Sequence, residues 1–147
     1  MPHLFSPYTL KGVTLRNRVA MSPMTMYRSH GRDGKLNDFH LMYLGARAAG
    51  GFGLIFPEQI AITPAGRTSV HCAGLWDDAQ IESHARVTAM IRQMGGVAGI
   101  QLGHTGRNGS EVEPWRGAAP PRAPGRLAGR RAVGGSLRRT PPPLPGS

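Results

Sequence analysis

The sequence predicts a parallel α/β fold. Three observations carry that expectation. Short apolar runs alternate with stretches of helical period, at least one run is apolar on both faces, and polar side chains collect where each run ends.

In chain order, residues 8–10 and 13–15 are β-type runs on either side of Lys11-Gly12, a two-residue link that suits a tight hairpin. Residues 18–22 form a second, apolar run, followed by a loop rich in glycine and charge, RSHGRDGK. Asn37 or Asp38 then caps a helix over 38–49. Leu41, Leu44 and Ala48 form its buried stripe, and Gly50-Gly51 end it. The run GLIFPE, 53–58, reads as a strand of a parallel sheet because it is apolar on both faces. A long loop leads to Asp77, an N-cap with Gln80 at capping-box spacing. The helix it opens spans 78–94, with Ile81, Ala85, Ile91 and Met94 expected on its buried face, Arg92 in its last turn and Gly95-Gly96 beyond. VAGIQLGH, 97–104, is a third strand.

Strands alternating with helices place function at the C-terminal ends of the strands. Those ends carry Ser22, Pro23, Met24 and Thr25, then Glu58 and Gln59, then Gln101 and His104.

At 147 residues the chain has the length of one domain. Its formal charge of +10 is unevenly spread: residues 1–115 carry 11 Lys/Arg against 8 Asp/Glu, and 116–147 carry seven Arg and no acid. The first part lacks a basic face interleaved with aromatics, so nucleic acid is not an expected partner. The last 32 residues hold seven Pro and six Gly and no aromatic residue, and such a composition predicts a disordered tail. Its residue types are those of GC-rich codons. A frameshift after residue 115 would explain them, and translating the other two frames of the DNA tests that. No basic-then-apolar leader opens the chain and no run approaches ~18 apolar residues. Cytoplasm is the expected location, with no membrane partner.

Cys72 is alone, which leaves no internal disulfide. His71-Cys72 has no neighbouring partner motif, so no metal site is expected. His40, His71 and His84 show no ligand spacing and read as surface or helix-packing residues. Asp77-Asp78 reads as capping rather than as a catalytic pair.

The stretches LFSPYTLKGVTLRNRVAMSPMTMY, DGKLNDFH, GLIFPEQIAITPAGR, AGLWDD and GIQLGHTGR together resemble the start of the Old Yellow Enzyme family, in its bacterial, xenobiotic-reductase-like branch. The resemblance covers residues 3–115. It implies the N-terminal part of a (β/α)8 barrel with an N-terminal β-hairpin. It also implies an FMN-dependent oxidoreductase that passes hydride from NAD(P)H to an activated alkene, and it leaves room for a homo-oligomer of a full-length form. Carried over position by position, Ser22, Pro23, Met24 and Thr25 match the run that contacts FMN, and Gln59 a position whose backbone meets the flavin. Gln101 matches a glutamine on the pyrimidine edge, and Tyr27 a tyrosine of the substrate pocket. His104 and Arg107 lie in a stretch with structural or cofactor-side roles.

Departures accompany the match. Thr25 stands where many members of the branch carry Cys, Gln59 replaces a commoner small residue, and Pro57 is unusual at a strand end. The family's substrate-anchoring pair, proton-donating Tyr and phosphate-gripping loops lie further on, so no catalytic residue is named here. Two classes follow: the first part of an enzyme, or a non-catalytic truncated remnant or interaction fragment.

Overall fold

A computed structural model of the chain describes residues 1–106 and Gly109. Arg107, the expected boundary at 115 and the expected tail lie outside the described residues.

The hairpin forms as its sequence requires. β1 (Tyr8–Leu10) and β2 (Val13–Leu15) pair antiparallel with Leu10 opposite Val13. Lys11 and Gly12 both turn through positive φ, 45° and 84°, the primed turn that matches strand twist. β3 (Ala20–Met21), β4 (Leu54–Ile55) and β6 (Val97–Ala98) form a parallel sheet in that order, and β5 (Gln59–Ala61) and β7 (Gln101–Gly103) form a second parallel pair.

Three runs therefore differ from expectation, and of the run 18–22 only β3 is a strand. The run 53–58 is a strand only over β4, and a further strand, β5, follows it. The run 97–104 divides into β6 and β7. Pro57 explains the first break, because it has no N–H for the ladder. Gly99 and Ile100 make the second, and the Phe56 ring lies close against Gly99, where a Cβ would meet it at 2.5 Å.

α1 (Asp38–Ala49) has the predicted bounds. Asn37 is its cap: its side chain accepts from Phe39 N–H, and His40 Nδ1 accepts from Asn37 N–H. Leu44 and Ala48 are buried and Leu41 is half-buried, as the stripe predicts. α2 (Ile81–Gln93) begins later than expected, because residues 78–80 form a tighter 3-10 turn behind the Asp77 cap. Asp77 accepts from Ala79 N–H and Gln80 accepts from Asp77 N–H, so Asp77 caps the turn, while Asp78 lies in the first turn itself.

The core lies between the sheets and the two helices. Met21, Leu36, Leu44, Ala48, Ile55, Ile60, Ala73, Val87 and Ile91 pack together there. Full burial of Ile55, Ile60 and Ile91 contributes about 1.5–3 kcal/mol each. The expected stripe on α2 holds at Ile91 and is otherwise corrected. Val87 and Ile91 are the buried pair, while Ile81, Ala85 and Met94 are exposed. Ile81 and Ala85 line an open, mostly apolar groove with Leu75, Thr88 and Ala89, to which His84 and Arg92 also contribute.

Candidate functional site at the strand ends

In the parallel sheet Met21 sits beside Ile55, and Ile55 beside Ala98. Residues 22–25, 56–59 and 99–101 therefore leave the sheet at the same end. Ser22 and Met24 are exposed there, Met24 by 46%, and Pro23, Thr25 and Tyr27 are half-buried. A thioether and a proline ring at a strand end present flat, polarizable surface to whatever lies against them. Tyr27 has a φ of 55°, in the left-handed region. For a bulky non-glycine residue that conformation is strained, and such strain gathers at functional sites.

The break at Pro57 sets which side chains meet. Three residues, Phe56, Pro57 and Glu58, separate β4 from β5, whereas two, Gly99 and Ile100, separate β6 from β7. One path carries one extra residue, which is the effect of a bulge: it shifts the register and re-aims side chains. Gln59, rather than Glu58, thus comes opposite Gln101. Both amides stand on the same face, opposite Ile60, which enters the helix-covered core.

Glu58 turns the other way and is buried, and one of its carboxylate oxygens lies 3.1 Å from His40 Nε2. His40 Nδ1 lies within hydrogen-bond distance of both Asn37 N–H and Asn37 Oδ1, while Nε2 faces the Glu58 carboxylate, which accepts from it. This ties the strand end to the first turn of α1. Sequence reading missed the pair and placed His40 at a surface or helix-packing position. The available signal was an acid inside a buried apolar run, which requires a partner. His71 too is buried, not superficial. His84 Nε2–H donates to Gly74 O over 3.0 Å, and its burial lowers its pKa below the ordinary value.

Two clamps hold the loops around the strand ends. The Arg67 guanidinium donates to Pro64 O, Arg32 O and Val70 O and lies over the Trp76 ring. Burial lowers its pKa, with Cys72 opposing. Gln80 donates to Asp33 O at 2.6 Å and accepts from Trp76 N–H at 2.7 Å. Gly34 lies under this amide at a φ of 76°, where a Cβ would meet Trp76 and Gln80. His104 sits at the end of β7 with its ring over Gly66 and accepts from Gly106 N–H, a structural position.

The residues present fit a flat heteroaromatic ring with a polar edge. The side-chain amides of Gln59 and Gln101 make no hydrogen bond to another described residue, and the two residues open β5 and β7 just past the C-terminal ends of β4 and β6. No hydrogen bond among the described residues joins residues 22–25 to either amide. Among the described residues no group of three His, Cys, Asp or Glu side chains gathers as for a metal, and no helix is long and apolar enough to cross a membrane.

Comparison with known proteins identifies relatives of the chain. A family model described as NADH:flavin oxidoreductase / NADH oxidase matches residues 3–132. An NADPH dehydrogenase of Bacillus licheniformis is 51% identical over 110 residues, which cover 75% of this chain and 32% of that protein. A structure of morphinone reductase in complex with tetrahydroNAD superposes with a TM-score of 0.68 at 35% identity, over 75% of this chain and 29% of the other. The Old Yellow Enzyme homologue from Zymomonas mobilis gives 0.68 at 33% identity, over 74% and 30%. The chain thus spans about a third of the length of the relatives it matches.

Proposed function

The chain belongs to the NADH:flavin oxidoreductase / NADH oxidase family and has the fold of the N-terminal part of a (β/α)8 barrel, and from that premise we propose that it supplies the ring-binding strand ends of a cytoplasmic, FMN-dependent oxidoreductase of the Old Yellow Enzyme type. NAD(P)H is the proposed donor and a small electron-poor alkene the proposed acceptor. The observation that carries the reading is the convergence of residues 22–25, Gln59 and Gln101 at one end of parallel strands, with both amides free of described partners.

Bound FMN would supply the hydride chemistry, which belongs to the cofactor. The chain's own residues bind and orient. Pro23 and Met24 offer flat contact to the ring. The Thr25 hydroxyl donates toward its polar edge, where the branch's usual cysteine would offer a weaker donor. The Gln101 amide both donates and accepts, as an imide edge requires. Tyr27, fixed by its strained backbone, shapes the side on which an acceptor would lie.

A second reading is favoured by one observation: the match spans about a third of the relatives' length. On that reading the chain binds the ring without turnover. Flavin fluorescence during titration with the protein tests the site. Quenching that weakens about tenfold in Gln101→Leu supports it, since that change leaves polar edge groups unpaired, and no quenching at any protein concentration overturns it. NADPH oxidation with 2-cyclohexen-1-one present then separates the readings: turnover supports the enzyme, and bound flavin without turnover supports the second.

A further inference from the structure

We infer that the side-chain amide of Gln59 is a second recognition group for the imide edge of the flavin ring, acting beside Gln101 and given its place by the missing side chain at Gly103. The inference rests on the flavin reading above and goes beyond it, because that reading gives the Gln59 side chain no contact to the ring.

Four observations converge. Gln59 and Gln101 are register partners, on adjacent parallel strands and on one face. The bulge at Pro57 is what brings Gln59 to that position; without the extra residue Glu58 would stand there. The Gln59 side chain leans forward across the neighbouring strand and occupies the space above Gly103. A Cβ built on Gly103 would lie 2.5 Å from its Cδ and closer still to Nε2. Finally, neither amide is spent on another described residue.

The chemistry of the ligand edge completes the argument. An imide presents oxygen, N–H and oxygen in a row, so it asks for donor, acceptor and donor. A single carboxamide offers one carbonyl and one NH2 on a single carbon and reaches two adjacent members of that row. Two carboxamides on neighbouring strands reach all three. A small residue at 59 would leave one edge atom to other groups. Gly103 is then as much a part of the site as the amide it makes room for.

The alternative is that Gln59 only fills the space over Gly103. Binding of lumiflavin and of 3-methyllumiflavin, followed by flavin fluorescence with the full chain, separates the two. Lumiflavin has the ring and the imide but no phosphate, and the methyl group removes the imide N–H. Gln59→Leu keeps the bulk and removes the polarity. It should weaken lumiflavin binding about fivefold, the loss of one ordinary hydrogen bond, and narrow the preference for lumiflavin over its methyl derivative. Gly103→Ala must push the amide aside and should reproduce the loss. Gln59→Ala/Gly103→Ala should then bind no more weakly than Gln59→Ala, because both changes remove one interaction. Equal lumiflavin affinity in Gln59→Leu and the wild type overturns the inference alone, provided Gln101→Leu is impaired. A wild-type chain that quenches neither flavin overturns the flavin reading and this inference together.

Discussion

Cys72 shows how environment decides what a residue type does. It is buried, and burial together with the nearby Glu58 carboxylate pushes its thiol from 9.0 up to about 12. The thiolate is the reactive form, so the side chain behaves as a small apolar group. The shift also fixes a pH dependence. Below pH 9 folded and unfolded chains both hold the proton. Between 9 and about 12 only the unfolded chain releases it, so the stability present below pH 9 is lost as pH rises through that window. At pH 10.5 the loss should be roughly 2 kcal/mol. Urea unfolding at pH 8 and pH 10.5 checks this. The fall in stability should be smaller in Cys72→Ala by about that amount, and identical falls in the two proteins would remove the assignment. The site residues were legible at this scale to different degrees. Residues 22–25, Gln59 and Gln101 could be placed at strand ends from apolar runs that stop at polar letters. The pairing of Gln59 with Gln101 could not, since it depends on a one-residue bulge that periodicity does not count. His40 and Glu58 lie 18 positions apart, with no local pattern to join them.

Elements were most legible where their ends are written in short-range chemistry. α1 runs between an Asn37 cap and Gly50, and both signals act within a few residues. The face of α2 was misread because a helical period shows that a stripe exists, whereas its neighbours decide which stripe is covered. Val87 and Ile91 meet the core, and the groove along Ile81, Ala85 and Ala89 stays open among the described residues. Arg16 joins these elements at their other ends. Its guanidinium donates to Ala48 O in the last turn of α1, to Phe52 O beyond that helix and to Met94 O beyond α2, 2.9 Å away in the last case. A cation at two helix C-termini meets carbonyls with no partner inside the helix and the negative ends of two dipoles. Charge-assisted bonds of this kind contribute more than neutral ones. Arg16→Met should lower stability by about 3 kcal/mol, and Arg16→Lys should fall between, because it keeps the charge and loses the planar fork. Thermal unfolding of the three proteins orders them, and a lysine variant as unstable as Arg16→Met would show that charge at the helix ends contributes nothing.

On the scale of the molecule, a (β/α)8 barrel closes its sheet and thereby has no edge, over ~250 residues. The described residues supply β3, β4 and β6 with the β5–β7 pair, two helices and a hairpin, and so leave edges. β7 pairs with β5 on one side, and on the other no strand among the described residues meets it. Leu102 on that strand is 60% exposed, and Ile100 just before it and Ile62 just after β5 are exposed too. An edge with unpaired N–H and C=O groups and exposed aliphatic side chains is a template for another chain. Natural edges are blunted by a lysine, and none of the three residues of β7 is charged. The chain by itself should therefore self-associate through this edge. Leu102→Lys should suppress that association, because stacking copies would bring like charges together, while the core at Ile55, Ile60 and Ile91 is untouched. In sedimentation velocity the weight-average coefficient of the wild-type chain should rise with concentration, and that of Leu102→Lys should stay level at the monomer value. A concentration-independent monomer for the wild-type chain would mean that the edge is covered. A variant that associates as strongly as the wild type would move the contact to the open groove on α2, where Ile81→Lys becomes the discriminating change.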